Sequence, residues 1–233
     1  MNTTSSTATT TTTSASTSTK PKASCEQSVV SFNGKGFYKF TDKIVSSSEG
    51  ATIEIEVKLT TSSSDGLLLW KRSERYQDYI SLGLKDGFVK LEYFYSEEKK
   101  KVTVFSATRI DDGSEHTVKI TKENGGSSTL QIDADEPVLG AAQVRRDLLN
   151  TKKAPLFLGG LSPDDDFTKS TLGLYSNGLS GCISFLSFVN TVGGSTWGLN
   201  SQDSGFYAMK DQGGNIVDDI GGDVDCVRSC TGV

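Results

Sequence analysis

The stretch Asp78-Tyr79-Ile80-Ser81-Leu82-Gly83-Leu84-Lys85-Asp86-Gly87-Phe88-Val89-Lys90-Leu91-Glu92-Tyr93-Phe94-Tyr95 decides the fold. Asp86-Gly87 at its centre is a two-residue turn signal, because both residue types tolerate the positive φ of a type I′ turn. Closing the chain there pairs Lys85 with Phe88. Counting outward pairs Leu84 with Val89, Leu82 with Leu91 and Ile80 with Tyr93. Apolar residues then meet apolar partners on one face, as a buried antiparallel pair requires. One step further, Asp78 lies opposite Tyr95 at the open end. The register therefore sets a carboxylate beside a backbone carbonyl on a rim.

The flanking sequence repeats the pattern. From Thr52 to Leu59, residues Ile53, Ile55, Val57 and Leu59 face one way and Thr52, Glu54, Glu56 and Lys58 the other. Gly66-Leu67-Leu68-Leu69-Trp70 is a more continuously apolar strand. His116, Val118 and Ile120 alternate, as do Leu130 and Ile132. A three-residue loop, Asn124-Gly125-Gly126, pairs Ile120 with Leu130 and Val118 with Ile132. Pro155 to Leu158 reads as a strand ending at Gly159-Gly160. Leu179 to Val189 is the last strong apolar stretch. No helix-length segment carries a 3.6-residue period. Short strands separated by Gly, Asp, Asn and Ser predict an all-β sandwich.

Composition bounds the rest. A chain of 233 residues is long enough to bury a proper core. Its 24 Lys+Arg against 29 Asp+Glu give a net charge of −5, which argues against a general nucleic-acid binder. No apolar run approaches the ~20 residues of a membrane span. A single histidine excludes a two-His zinc site, and the four cysteines form no paired knuckles. Residues 1–24 are almost all Thr and Ser, with Lys20-Pro21-Lys22 near their end. They predict a disordered linker or an O-glycosylated stalk. No secretory apolar region follows Met1, so an exported protein would be present here as a fragment. Residues 25–233 are expected to form one globular domain.

Six motifs now occur in a telling order: Val30-Ser31-Phe32-Asn33-Gly34, Gly66-Leu67-Leu68-Leu69-Trp70, Asp78-Tyr79-Ile80-Ser81-Leu82, Asp112-Gly113-Ser114-Glu115-His116-Thr117-Val118, Leu156-Phe157-Leu158-Gly159-Gly160 and Gly178-Leu179-Ser180-Gly181-Cys182-Ile183. Together they resemble a laminin G-like domain, the module of laminins, neurexins, agrin and perlecan. The resemblance covers roughly Cys25 to Cys230. It implies a two-sheet antiparallel jelly-roll sandwich of concanavalin-like type. Glu115 departs from the pattern, since the family usually places an aromatic residue before the histidine.

The resemblance also implies one Ca2+ ion on the rim. Its ligands map here to the Asp78 side chain, the Tyr95 carbonyl, the Leu148 carbonyl and the Asn150 side chain. The segment from Asn150 to Gly159 is one residue longer than in close relatives, which makes Asp147 the neighbouring alternative. Calcium takes 6–8 oxygens, so four protein ligands leave places for water or a guest. One full negative charge predicts weak binding, at about 10⁻⁴–10⁻³ M. The residual positive charge would favour an acidic guest. The plain alternative is that Asp78 ends a strand and Asn150 caps a turn.

Basic residues gather around the same rim. Arg72 and Arg75 precede Asp78; Lys99, Lys100 and Lys101 follow Tyr95; Arg145, Arg146, Lys152 and Lys153 flank Asn150. They predict a glycan-binding surface for heparin-like or dystroglycan-type acidic chains. Ordinary solvated loop charge is the alternative for any single lysine. The resemblance pairs Cys182 with Cys226 or Cys230 and leaves Cys25 to take the remaining cysteine or to close a preceding module. Sequence alone leaves the pairing open. The even cysteine count favours an oxidising, extracellular location.

No catalytic residues are assigned. His116 falls at an inward, alternating position and reads as a packed core residue. Asp164-Asp165-Asp166 lacks EF-hand spacing and reads as a solvated loop, like the acidic tail at Asp218, Asp219, Asp223 and Asp225. Glu54 and Glu56 could form the carboxylate pair of a jelly-roll glycoside hydrolase. They read instead as the polar side of a half-exposed strand. The expectation is a non-enzymatic module of a larger extracellular protein. It would bind an acidic glycan or a glycosylated receptor through a calcium-bearing rim. A protein-binding adhesion module without glycan recognition is the rival.

Overall fold

The computed structural model describes residues 30–41, 52–123, 126–144, 149–151, 154–162, 165–190, 195–199 and 215–220; at 41, 190, 195–199 and 215–220 it describes backbone alone. The expected linker over residues 1–24 lies outside these, as do Cys25, Cys226 and Cys230.

Two antiparallel sheets form the sandwich. The first runs in the order β1 (Val30–Asn33), β12 (Ser180–Asn190), β3 (Ile53–Thr60), β8 (Glu115–Lys122), β9 (Ser127–Ile132), β10 (Val138–Ala141), with β13 (Ser195–Leu199) also pairing β12. The second runs β14 (Asn215–Ile220), β2 (Phe37–Thr41), β11 (Leu156–Leu158), β4 (Gly66–Arg72), β5 (Tyr79–Lys85), β6 (Phe88–Tyr95), β7 (Lys100–Arg109). The one helix among the described residues, α1, spans Phe167–Ser170. Asp166 caps it by accepting the Lys169 backbone N–H at 3.0 Å.

The expected hairpin registers hold. Lys85 pairs with Phe88, Leu84 with Val89, Leu82 with Leu91 and Ile80 with Tyr93. Asp86 and Gly87 both take positive φ, at 52° and 83°, as a type I′ turn requires. Ile120 pairs with Leu130 and Val118 with Ile132; Asn124 and Gly125 of that loop lie outside the described residues. β3 buries Ile53, Ile55, Val57 and Leu59 against the opposite sheet and turns Glu54 to solvent. Glu56 pairs with Ser187 and Lys119 on the same outer face.

The main core fills the space between the sheets, from Ile55, Val57 and Ile120 on one side to Leu69, Leu82 and Leu91 on the other. A second, smaller cluster joins Leu67, Trp70, Tyr79, Leu161 and Tyr175. It covers the outer face of β4 and β5 with the segment that follows β11. That is why β4 is apolar on both sides.

Candidate functional site

The rim is built from turns at one end of the second sheet. Between β4 and β5 the chain reverses tightly: Ser73 N–H donates to the Asp78 carbonyl at 2.9 Å, and Gln77 N–H donates to the Ser73 carbonyl at 2.8 Å. Gln77 takes φ 62° to make that turn. This closure holds Asp78 at the mouth of β5 with only 5 % exposure. Asp78 Oδ1 accepts the Ser96 N–H at 2.9 Å, and Oδ2 accepts the Asn150 N–H at 2.7 Å. One carboxylate thus ties the start of β5, the turn after Tyr95 and the segment before β11. Asp78 thus meets the backbone of Asn150 and of Ser96, the neighbour of Tyr95. Leu148 and the alternative Asp147 lie outside the described residues.

The donor chemistry suits a hard cation. Each carboxylate oxygen carries two acceptor positions, so a single N–H leaves one on each. The other groups expected to join it, the Tyr95 carbonyl and the Asn150 side chain, would also offer oxygens. Among the described residues no group of three or more His, Cys, Asp or Glu side chains is arranged to hold a metal ion.

The basic residues divide. The β6–β7 turn that carries Lys99 packs against the Asp78 pair, because Lys99 N–H donates to the Ser96 carbonyl at 3.2 Å. Lys99, Lys100 and Lys101 are all exposed. Lys101 Nζ lies 3.8 Å from Glu92 Oε1. Arg72 donates from Nη2 to Gln77 Oε1, and Arg75 lies 5.1 Å over the Tyr76 ring. Arg145, Arg146, Lys152 and Lys153 lie outside the described residues.

Arg72 and Arg75 also line something the sequence did not reveal. A cleft of about 710 Å³ opens beside the rim, between the 72–76 turn and the segment that follows β11. Trp70, Phe157 and Leu161 form its apolar part; Lys39, Arg72, Arg75 and Asn150 contribute polar groups. Its walls come from four separate parts of the chain, so no local motif could have announced it.

A second unexpected feature lies on the same sheet face. Trp70, Tyr79 and Phe94 stack in sequence, with centroids 5.3 and 5.8 Å apart. Beside them Glu92, whose side chain is 2 % exposed, accepts Tyr79 Oη at 2.6 Å and Thr103 Oγ1 at 3.0 Å, and pairs with Lys90 at 3.0 Å. Burial works against its charge, but the bonds from Tyr79 and Lys90 outweigh that and hold the carboxyl below its ordinary range. Burial and the Glu92 bond push the Tyr79 hydroxyl upward.

The expectation for His116 needs correction. Alternation does place it on the face of Val118 and Ile120, but both ring nitrogens meet carboxylates. Nδ1 lies 2.8 Å from Asp133 Oδ2 and Nε2 lies 3.1 Å from Asp112 Oδ1. Two turns beyond the strand end supply those carboxylates. Burial lowers the histidine's affinity for its proton, but the bonds to Asp133 and Asp112 outweigh burial and raise it. Cys182 is buried and disulfide-bonded, to a cysteine outside the described residues.

A sandwich of two seven-stranded antiparallel sheets, with an acidic rim residue stitching three turns, defines a class of β-sandwich modules. The sequence profile of the Laminin G domain matches residues 59–192, and the chain belongs to that family. It is 35 % identical over 136 residues to the basement membrane-specific heparan sulfate proteoglycan core protein of Mus musculus, covering 57 % of this chain and 3 % of that protein. It is 28 % identical over 160 residues to human pikachurin, covering 67 % of this chain and 15 % of that one. The chain thus spans a small part of the relatives it matches. Among solved structures, mouse laminin alpha1 chain domains LG4-5 align with a TM-score of 0.58 at 18 % identity, over 72 % of this chain and 42 % of that chain. A heptameric SAP-like pentraxin from Limulus polyphemus aligns at 0.52 and 13 % identity, over 88 % and 95 %. These two likenesses concern the fold alone.

Proposed function

We propose that the domain is a non-enzymatic, extracellular binding module of a larger matrix or cell-surface protein, and that it recognises an acidic glycan or a glycosylated receptor through a Ca2+-bearing rim. The observation that carries this reading is the convergence of Asp78, Ser96 and Asn150 within hydrogen-bond distance. Asp78, the Tyr95 and Leu148 carbonyls and the Asn150 side chain would hold the ion. Bound there, calcium supplies a positive centre that an acidic guest can share. Arg72, Arg75 and Lys99–Lys101 add charge on two sides, and Arg145, Arg146, Lys152 and Lys153 flank the third in sequence. Relatives in basement-membrane proteins support the matrix setting.

The test is calorimetric titration of calcium, repeated with a heparin hexasaccharide present. Calcium heat at millimolar concentration, with tighter hexasaccharide binding when the ion is bound, supports the reading. Calcium heat without hexasaccharide binding leaves a protein-binding module. No calcium heat removes the metal from the proposal.

A further inference from the structure

We infer that the cleft beside the rim is a subsite for the carboxylate-bearing ring of a uronic acid, with Arg72 as the residue that reads the carboxylate. This rests on the acidic-glycan reading above and assigns a second point of contact to it, away from the calcium position.

Three observations carry it. First, the cleft joins the rim. Asn150 gives its backbone N–H to Asp78 and also lines the cleft, so a polymer crossing the rim reaches the cleft without leaving the surface. Second, its chemistry is mixed in the way a sugar acid is mixed. Trp70, Phe157 and Leu161 offer apolar surface to the carbon-bound hydrogens of a pyranose ring, while Lys39, Arg72 and Arg75 offer charge. Among the described lining residues those three cations meet two acids, Glu74 and Asp165, a formal surplus of one positive charge. Third, Arg72 is prepared but not used up. Its Nη2 bond to Gln77 fixes the plane of the guanidinium, and its Nε is buried without a partner. An unsatisfied buried donor is costly, and a carboxylate that meets it relieves that cost. The planar fork donates two parallel N–H bonds to a carboxylate, which a lysine cannot reproduce. The volume of about 710 Å³ falls within the range of small-ligand sites.

The experiment follows the Arg72 Nε–H signal by ¹H–¹⁵N NMR in the whole chain, with calcium present. The probes are a heparin hexasaccharide, its carboxyl-reduced form and an acidic tyrosine-containing peptide. The inference expects the native hexasaccharide to shift the signal, the carboxyl-reduced form to leave it in place, and R72Q to weaken native hexasaccharide binding about ten-fold. R72K, which keeps the charge, should recover little of the loss. Calcium titration of R72Q should match wild type, which separates this contact from the rim. Hexasaccharide binding that is equal in R72Q and wild type overturns the subsite and leaves the glycan-binding rim standing. Equal shifts from native and carboxyl-reduced forms overturn the carboxylate assignment. A shift from the peptide alone overturns it in favour of a protein partner. No binding of any oligosaccharide overturns the glycan reading and this inference together.

Discussion

Asp78 and Asn150 lie far apart in the chain, yet the Asn150 backbone N–H donates to Asp78 Oδ2 at 2.7 Å. The other carboxylate oxygen holds Ser96 in the same way. The lip is therefore stitched by one buried side chain.

Removing that side chain leaves two backbone donors without their acceptor. D78A should cost about 2–4 kcal/mol, since each hydrogen bond to a charged group contributes about 1.5–3 kcal/mol. D78N keeps the shape and one acceptor oxygen and should cost roughly half as much. Urea midpoints measure both. An unchanged midpoint for D78A would show that the stitch carries no stability.

Two glycines separate close approach from backbone conformation. A Cβ on Gly178 would lie 2.4 Å from the Gly159 carbonyl oxygen and 3.0 Å from that of Gly34. Both neighbours are backbone, so they cannot turn aside. G178A should leave the protein largely unfolded at room temperature or strongly destabilised. Gly173 has φ 79° with open space around it, so G173A should cost only about 1–2 kcal/mol. Circular dichroism melts rank the pair; the reverse order would refute the argument.

Glu92 makes stability depend on acid. Its folded carboxyl sits below the ordinary value of 4.5. A depressed folded value gives stability that is complete above the ordinary value and drains away as pH falls through the folded one. E92Q should flatten the acid limb of the stability curve. E92A should cost about 2–4 kcal/mol, because Tyr79, Thr103 and Lys90 lose a shared partner. Melting temperature against pH from 3 to 7 is the measurement, with parallel wild-type and E92Q curves as the contrary result.

His116 has the opposite sign. Its folded value lies above the ordinary 6.5. The contribution is complete below the ordinary value and is lost as pH rises through the folded one. H116Q should melt about 2–4 °C below wild type in mild acid, and the gap should narrow at alkaline pH. Chemical-shift titration of the ring reports the folded value directly. A ring that titrates below 6.5 contradicts the clamp.

The β5–β6 hairpin was readable down to individual pairs because a single turn type fixes its register. The β8–β9 pair was readable for the same reason. The order β12-β3-β8 was not, because no local turn joins β12 to β3 and their pairing is set by the whole sandwich. Gly66 to Trp70 did carry a signal: an unbroken apolar run means cover on both faces. What it could not show was the source of that cover, which is Leu161 and Tyr175, far along the chain. Alternation gave the face of His116 but not the two aspartates that meet it. At the rim the family resemblance pointed to Asp78 and Asn150 meeting, which they do through the Asn150 backbone, whereas the cleft, assembled from residues 39 to 170, had no local signature.

The hairpin also works as a ruler. From Asp78 to Asp86 it spans about 26 Å at ~3.3 Å per residue. The Asp86-Gly87 tip packs against the 110–112 segment that leads to the histidine clamp, with the Ile110 N–H donating to the Gly87 carbonyl at 2.9 Å. The histidine clamp and the Asp78 rim thus lie near opposite ends of one hairpin. Protonation of His116 should therefore change the stability of the fold without altering the bonds Asp78 makes to Ser96 and Asn150.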